Sequence, residues 1–342
     1  MSGTTSLGMP PMPPRTTAPP WKNAWDAALY GADGFFRRES PAAHFRTSVH
    51  ASPLFAGAVL ELVRRAGLDT VVDIGAGRGE LLSALHALDP TLTLLGVEVA
   101  ARPAELDPTI AWTSALPEAV DGLVVANEWL DNIPCHVVEI DDEGVLRVVH
   151  VDPVTGEESL GSALTDRAVP ASLAAWCEQW WQLDAAEPGT RAEVGTSRDT
   201  AWADVVGRVT RGVTIAVDYG HTRAARPPFG SLRSYRDGAE VDVLPDGSRD
   251  VTAPVAVDAV AERVGGRLLR QRDALRDLGV SGARPALDQA TEDPAGYVAA
   301  LSRAGEAAEL TGAGGLGDFW WVVGVTGVPD PFTSGTSDAP AG

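Results

Sequence analysis

Three glycines separate a short apolar run from a helical segment in TVVDIGAGRGELL, which begins at Thr70. Such a turn lets the backbone approach a ligand closely, and the helix that follows offers free N–H groups. The dinucleotide-binding fingerprint requires a small residue at position 80, where this chain carries Glu80. Asp73 precedes the first glycine by two residues. Because its carboxylate would repel a pyrophosphate, the pattern favours a ligand with a cationic amino group.

S-adenosylmethionine (SAM) is a ligand of this kind, because it joins a nucleoside to a cationic amino acid. The next apolar run, LLGVEVA, ends near Glu98, at the position from which an acidic residue accepts hydrogen bonds from ribose hydroxyls in nucleotide-binding folds. The predicted cofactor-binding residues in these two segments are Asp73, Gly75, Ala76, Gly77, Gly79 and Glu98. The alternative is that the glycines only form a tight turn and that Glu98 is a solvated charge.

A second group of polar residues follows the apolar run GLVVAN, in the segment ANEWLDNIPCHVVE. Ligands of open α/β sheets bind outside the carboxyl ends of the strands, where Asn127, Glu128 and Asp131 should lie. Two carboxylates can grip a guanidinium through paired charged hydrogen bonds and direct its lone pair toward a methyl donor. Glu128 and Asp131 are therefore the candidate catalytic residues. The alternative, in which they cap a short helix that ends at Pro134, stays open.

The elements that must position these residues follow from the apolar pattern. Two helices are predicted before the first strand, the second beginning at Ser52-Pro53 and ending at Gly67. From Thr70 short apolar runs alternate with helical segments, a pattern typical of a parallel sheet wrapped by helices. After Pro134 the period changes to that of an antiparallel hairpin, which we interpret as an insertion. The parallel pattern then resumes, with EVGTSRDTAWADVVGRV predicted as a helix and GVTIAVDYG as a buried strand.

Composition limits the function classes. The formal charge of −20 argues against a nucleic-acid partner, since binding a polyanion depends on Lys and Arg. Cys135 and Cys177 cannot form a disulfide framework, and the six histidines do not cluster at metal-ligand spacing. We therefore expect no metal site and a reducing, cytoplasmic location. No apolar run is long enough to span a bilayer, and the proline-rich residues 1–20 are expected to be a disordered tail.

Several segments, in chain order, resemble the landmarks of the MidA-like methyltransferases. They are DIGAGRGELL, ANEWLDNIPCHVVE, AEVGTSRDTAW, AVDYGH, GSLRSYRDG and DVTAPVAVDAVAE, and ALYGADGFF and HFRTSVHASPLFA extend the resemblance upstream. These SAM-dependent proteins are related to the mitochondrial complex I assembly arginine methyltransferase. The resemblance implies a class I SAM-dependent methyltransferase fold of the α/β class: a Rossmann-like, mostly parallel sheet with an antiparallel last strand, N-terminal helices and inserted segments. Asn127, Glu128 and Asp131 fall on matching motif positions, which implies that Asn127 also binds the cofactor.

The organisation that follows is an N-terminal helical segment at 21–68, a methyltransferase domain at 69–327 with an insertion at about 135–190, and a flexible tail at 328–342. The implied function is methylation of a protein side chain, arginine, with a protein or peptide as partner. Two alternatives stay open, namely a non-catalytic assembly or interaction factor that keeps the fold and a small-molecule methyltransferase. An NAD-linked enzyme is disfavoured by Glu80 and Asp73.

Two further features are weighed against structural roles. His221 follows another predicted strand and can act as a base, although a single loop histidine is more often a solvated bystander. Trp176, Trp180 and Trp181 lie near one helical face and can line a groove for a partner. An aromatic stripe on a helix is, however, more typical of a core.

Overall fold

The structure is a computed structural model and describes residues 18–38, 52–181 and 187–332. Most of the two expected tails, and residues 44–51 of the segment HFRTSVHASPLFA, lie outside these ranges. Phe332 is 6% exposed and packs edge-on against Trp321, with 6.2 Å between ring centroids. The described part of the expected C-terminal tail therefore contacts the core.

The described residues form both helices and strands, and residues 93–163 contain six consecutive strands with no helix between them. The helices are α1 (Trp21–Tyr30), α2 (Phe35–Arg38), α3 (Pro53–Ala66), α4 (Glu80–Leu88), α5 (Ala171–Trp180), α6 (Thr196–Gly207), α7 (Val257–Val264), α8 (Gln271–Asp277), α9 (Gln289–Glu292) and α10 (Pro294–Thr311). The strands are β1 (Thr70–Ile74), β2 (Thr93–Val97), β3 (Ala111–Thr113), β4 (Val120–Asn127), β5 (His136–Ile140), β6 (Leu146–Val151), β7 (Glu158–Ala163), β8 (Arg191–Val194), β9 (Val209–Asp218), β10 (Gly220–His221), β11 (Arg233–Arg236), β12 (Ala239–Val241), β13 (Asp250–Thr252), β14 (Val255–Ala256), β15 (Arg267–Arg270) and β16 (Trp320–Thr326). None of the helices in the described ranges has the length and apolar character needed to cross a bilayer.

A seven-stranded sheet forms the centre, with strand order β15-β16-β9-β4-β1-β2-β3. Strands β3, β2, β1, β4 and β9 run parallel, whereas β16 runs antiparallel to both β9 and β15. The predicted mostly parallel sheet with an antiparallel last strand is confirmed. The central strands are buried on both faces, which explains why Val71, Val72 and Ile74 form a nearly continuous apolar run.

Helices cover both faces of this sheet. On one face α3, α4, α8 and α10 surround a core that includes Phe55, Leu82 and Trp321. On the other face α6 and α7 pack around Trp202 and Val260. The polar residues of the candidate site are therefore confined to the edge of the sheet, because both faces are filled with apolar side chains.

Helix α3 has the predicted start and end. The Ser52 hydroxyl accepts a hydrogen bond from the N–H of Leu54 at 3.0 Å, and Pro53 occupies the first turn. Gly67 ends the helix with φ of +63°. Both signals were read correctly from the sequence because capping depends on local backbone geometry.

The insertion is larger than a hairpin. Its strands form a separate antiparallel sheet with order β7-β6-β5-β8, and the predicted hairpin is the β5-β6 pair, in which Val138 lies opposite Val148. The sequence predicted that the helix EVGTSRDTAWADVVGRV begins at Glu193, and this start is wrong. Glu193 and Val194 belong to β8, because they pair with β5, and α6 begins at Thr196.

The N-terminal helices divide between two packing environments. Helices α1 and α2 pack against the inserted sheet and against β13, where Trp25 Nε1 donates to the carbonyl oxygen of Val251 at 2.8 Å. Helix α3 instead packs on the central sheet. A small sheet with order β12-β11-β13 also joins this region. It brings β13 next to the turn that follows β4, where the Ala253 N–H donates to the carbonyl oxygen of Asp131 at 3.2 Å.

Candidate active site

The carboxyl ends of β1, β2 and β4 lie side by side at one edge of the central sheet. Ile74 of β1 is opposite Val97 of β2 and Ala126 of β4. Glu98 and Glu128, which directly follow β2 and β4, therefore reach the same edge. The structure thus brings together the two segments that the sequence singled out, at the edge where parallel sheets bind their ligands.

The turn after β1 requires glycine at two positions. Gly75 and Gly77 have φ of +70° and +57°, a region that side chains rarely adopt. A Cβ atom on Gly75 would lie only 2.7 Å from Cδ1 of Trp129. The Gly77 N–H donates to Oε2 of Glu98 at 3.0 Å, which ties the turn to the end of β2. The bare backbone is therefore needed for the turn itself and for its close approach to neighbouring groups.

This turn borders a first cavity of about 530 Å³, within the range of roughly 300–1,000 Å³ typical of small-molecule sites. Its lining includes predicted residues and aromatic residues from other elements, namely Gly75, Gly77, Glu98, Glu128, Tyr30, Phe36 and Trp129. Four predicted cofactor residues do not line it, namely Asp73, Ala76, Gly79 and Asn127. Sequence reasoning missed Tyr30 and Phe36, because only tertiary packing brings α1 and α2 to this edge.

Two of the carboxyl groups at this edge are those of Asp73, which is buried, and Glu98, which is half-buried. Asp73 is 5% exposed, and burial together with the charges of Glu80 and Glu98 holds its pKa well above the usual value. Burial also raises the pKa of Glu98, although the N–H groups of Ala100 and Gly77 donate to this carboxylate and oppose the rise. An adjacent cation would stabilise both ionised groups, so the first cavity is electrostatically suited to a positively charged ligand.

A second cavity of about 770 Å³ adjoins the first. Glu128 and Asn132 line both cavities. The other walls of the second cavity come mainly from the segments near β9, β11, β13 and β16, and its side chains include Asp131, Tyr219, Arg233, Tyr235, Asp250, Arg270 and Phe319. The shared residues therefore stand where a ligand in one cavity can meet a ligand in the other.

The turn after β4 has an unusual backbone at Glu128, whose φ is +54°. Non-glycine residues seldom adopt this region, and doing so costs roughly 1–3 kcal/mol. The Asn127 side-chain amide donates to Oε1 of Glu128 at 3.2 Å. The Asp218 carboxylate accepts from the N–H groups of Leu130 and Asp131 at 2.9 and 3.3 Å. The carboxyl end of the neighbouring strand β9 therefore holds this strained turn in place. Strained backbone is common at functional sites.

A family model described as "Putative S-adenosyl-L-methionine-dependent methyltransferase" matches residues 93–270, just over half of the chain. The chain belongs to this family. It is a SAM-dependent methyltransferase, and its cofactor is SAM. The expected family is thereby confirmed.

Two crystal structures of COG1565 superfamily proteins from Burkholderia thailandensis resemble this methyltransferase. One, bound to S-adenosyl-homocysteine, is 23% identical with a TM-score of 0.71 and covers 93% of this chain and 91% of its own. The other, a native structure, is 23% identical with a TM-score of 0.73 and covers 93% of this chain and 90% of its own. The likeness confirms the fold of the methyltransferase. No curated protein matches the chain.

Asp131 of the methyltransferase is buried at the wall of the second cavity. It is 5% exposed, and its Oδ2 accepts a hydrogen bond from the Thr252 hydroxyl at 2.7 Å. Its Oδ1 has no hydrogen-bond partner among the described residues. Burial raises the pKa of this carboxyl, which the Thr252 hydroxyl and the nearby Arg198 guanidinium oppose. The helix-capping alternative is not observed, because no helix follows Glu128 before β5.

Arg198 is a structural residue of the site that sequence reasoning missed. It is 2% exposed, and its guanidinium donates to three carbonyl oxygens: Asp131 at 2.6 Å, Ile133 at 3.2 Å and Pro254 at 3.0 Å. One side chain therefore joins the turn after β4 to the segment after β13. A charged residue inside a predicted helix gave no sign of this contact, because the acceptors lie far away in sequence.

Replacing Arg198 with alanine is expected to lower the free energy of unfolding by about 3 kcal/mol, because three carbonyl oxygens each lose one donor and the Asp131 carboxyl group loses a nearby cation. Urea denaturation would measure the change. Arg64→Ala is the matched control, since the Arg64 side chain is 58% exposed and its pair with Asp89 spans 3.5 Å. The control should change stability by less than about 0.5 kcal/mol. Equal effects of the two substitutions would contradict the role of Arg198.

The remaining sequence candidates have structural surroundings. His221 lines neither cavity, and its Nδ1 lies 2.9 Å from Nη1 of Arg226. Burial and the charge of Arg226 lower the pKa of His221 to about 3, which is too low for a base at neutral pH. Trp176, Trp180 and Trp181 are buried in the core between the inserted sheet and α7, in agreement with the core interpretation.

Proposed function

We propose that this methyltransferase transfers the methyl group of SAM to an arginine side chain of a protein that enters the second cavity. The proposal rests on one observation: four carboxyl groups line a cavity that adjoins the predicted cofactor cavity. Asp318 is paired with Arg272, and the other three carboxyl groups are those of Glu128, Asp131 and Asp250. A guanidinium ion is planar and offers five donors, so it suits several carboxylates at once.

The first cavity is assigned to SAM, which when bound supplies an electrophilic methyl group on a sulfonium. Gly75 and Gly77 allow close approach of the backbone, and Glu98 provides a half-buried carboxylate for hydroxyl groups of the nucleoside. Asp73 lies behind the turn and acts on the cationic end through its charge. The relative from Burkholderia thailandensis that binds S-adenosyl-homocysteine supports this assignment.

The two arginine side chains that line the second cavity contact other groups of the protein. Arg233 lies 3.5 Å from the carboxylate of Glu240, and Arg270 stands over the Trp320 ring at 3.4 Å from its centroid. Both arginines remain cations, but the four carboxyl groups outnumber them in the lining of this cavity. The aromatic residues of the cavity, Tyr219, Tyr235 and Phe319, offer apolar walls for the methylene stem of an arginine side chain.

Methyl transfer is an in-line displacement, so this chain mainly has to hold the two reactants close and collinear. Glu128 lies at the junction of the cavities, where its carboxylate can accept guanidinium N–H bonds and orient the nitrogen that reacts. Asp131 stabilises the cation from the wall of the second cavity, and the Thr252 hydroxyl fixes its carboxylate. Glu128 can accept the proton that the guanidinium nitrogen loses on methylation. The product guanidinium remains cationic, so the same carboxylates also accommodate it.

The affinity for SAM is expected to fall as pH is lowered below neutrality. The pKa of Asp73 is raised in the free protein, and a bound cation would lower it again. Binding would therefore release a proton, and such binding weakens as the pH falls because more of the free protein is protonated. Calorimetry below pH 7, where an α-amino group with a pKa of about 8 stays charged, would measure the effect. Asp73→Asn should weaken binding near neutral pH and flatten this dependence. An unchanged slope in that variant would contradict the role given to Asp73.

Incubating the pure protein with tritium-labelled SAM and a native cell extract, and then identifying the labelled species, tests the proposed acceptor. We expect label on a protein, at arginine, after proteolysis and amino-acid analysis. Label confined to low-mass compounds would favour the small-molecule alternative and overturn the proposal. A protein labelled at a residue other than arginine would keep the protein substrate but overturn the assignment of the carboxylates.

A further inference from the structure

Asn132, which is not one of the candidate catalytic residues, lies between the two cavities. It is one of two residues that line both cavities, the other being Glu128. Its side-chain amide donates to Oδ1 of Asp250 at 2.9 Å, and its main-chain carbonyl oxygen accepts from the Tyr30 hydroxyl at 3.3 Å. One residue therefore links α1, the turn after β4 and strand β13.

The contact with Asn132 is one of the interactions that hold the Asp250 carboxyl group. Asp250 is 3% exposed, lines the second cavity and lies opposite Tyr235, another lining residue, in the β11-β13 pair. Burial and the charge of Asp131 raise its pKa. A buried carboxylate near a second one is unfavourable unless donors hold it. The Asn132 amide supplies such a donor, so the orientation of Asp250 is set by a residue at the junction of the two cavities.

We propose that Asn132 is a specificity-determining residue, which fixes the Asp250 carboxylate so that the second cavity prefers a guanidinium to an ammonium group. This inference rests on the proposed function of that cavity. Glu128, Asp131 and Asp250 offer carboxylates from two separate segments of the chain. A guanidinium presents N–H groups along several edges of one plane and can engage such a set, whereas an ammonium is a compact point charge. A fixed Asp250 therefore favours the planar cation.

Binding of two small probes, N-acetylarginine amide and N-acetyllysine amide, would test this inference. Their affinities are measured by NMR titration of the full chain saturated with S-adenosyl-homocysteine. The wild-type protein is expected to bind the arginine probe about tenfold more tightly than the lysine probe, equivalent to one charge-assisted bidentate contact. In protein that is saturated with S-adenosyl-homocysteine, Asn132→Ala should remove most of this preference by weakening arginine binding.

Two further variants complete the design. Asp250→Asn keeps the size of the side chain but removes its charge, and it should abolish the preference even if Asn132→Ala proves too unstable to study. Asp242→Asn is the matched control, because Asp242 is exposed on a neighbouring loop and lines neither cavity. It should bind both probes as the wild type does.

The outcomes separate the inference from the proposed function. A wild-type protein without preference for the arginine probe would overturn the guanidinium assignment and this inference with it. A wild-type preference that persists in Asn132→Ala and in Asp250→Asn would overturn the inference alone and leave arginine as the acceptor. A preference lost in Asp250→Asn but kept in folded Asn132→Ala would also overturn it, since Asp250 would then act without Asn132.

Discussion

Replacing Gly77 with aspartate is expected to lower the affinity for SAM by about 1,000-fold or more, equivalent to about 4 kcal/mol, while the chain stays folded. Gly77 lines the first cavity, and a Cβ atom there would lie 3.3 Å from Oε2 of Glu80. The new carboxylate would therefore stand close to Glu80 and Glu98 and would occupy space assigned to the cofactor. The backbone cost is small, because aspartate tolerates a positive φ at roughly 1–2 kcal/mol.

Gly67→Asp separates backbone strain from the effect on the cavity. Gly67 has φ of +63°, close to the +57° of Gly77, and no heavy atom lies within 4 Å of a Cβ built there. It ends α3, away from the cavity lining. Both variants should lose similar stability in thermal unfolding, but calorimetry should show normal SAM binding only for Gly67→Asp. Normal binding by Gly77→Asp would remove the glycine turn from the cofactor site.

Much of the central fold could be predicted because its signals are local. Buried strands such as β1 read as apolar runs, and Ser52 and Gly67 marked the ends of α3. The start of α6 was misplaced because Glu193 and Val194 pair with β5, a strand more than fifty residues earlier. Sequence periodicity cannot show such a pairing, because a short segment of mixed polar and apolar residues fits either a helix or a strand.

The site was predictable where strand ends determine position and unpredictable where distant segments meet. Glu98 and Glu128 follow from the rule for parallel sheets. The roles of Tyr30, Arg198 and Asp250 do not, because each reaches the site through tertiary contacts of α1, α6 or β13. The positive φ of Glu128 also has no sequence signal, because side chains rarely adopt it and the Asp218 contacts that hold the turn come from β9.

Replacing Glu128 with glutamine is expected to lower kcat for methyl transfer by about 10²–10⁴-fold, the range observed when a general base or an electrostatic donor is removed. Glutamine keeps the length of the side chain, and its amide oxygen can still accept from Asn127, as Oε1 of Glu128 does at 3.2 Å. The fold and the turn should therefore persist. What disappears is the negative charge at the junction of the cavities, where the acceptor nitrogen has to be oriented. The rate would be measured as single-turnover transfer of tritium from SAM to the acceptor protein that the labelling experiment identifies.

Glu118→Gln is the control for loss of one negative charge, because Glu118 is exposed and lines neither cavity. Its rate should equal that of the wild type. A small effect of Glu128→Gln on kcat together with a large loss of SAM affinity would indicate that Glu128 binds the cofactor and not the acceptor. Either role is open to it, since it lines both cavities. The opposite result, a large loss of kcat with SAM affinity retained, would mean that the charge of Glu128 serves methyl transfer and is not needed for cofactor binding.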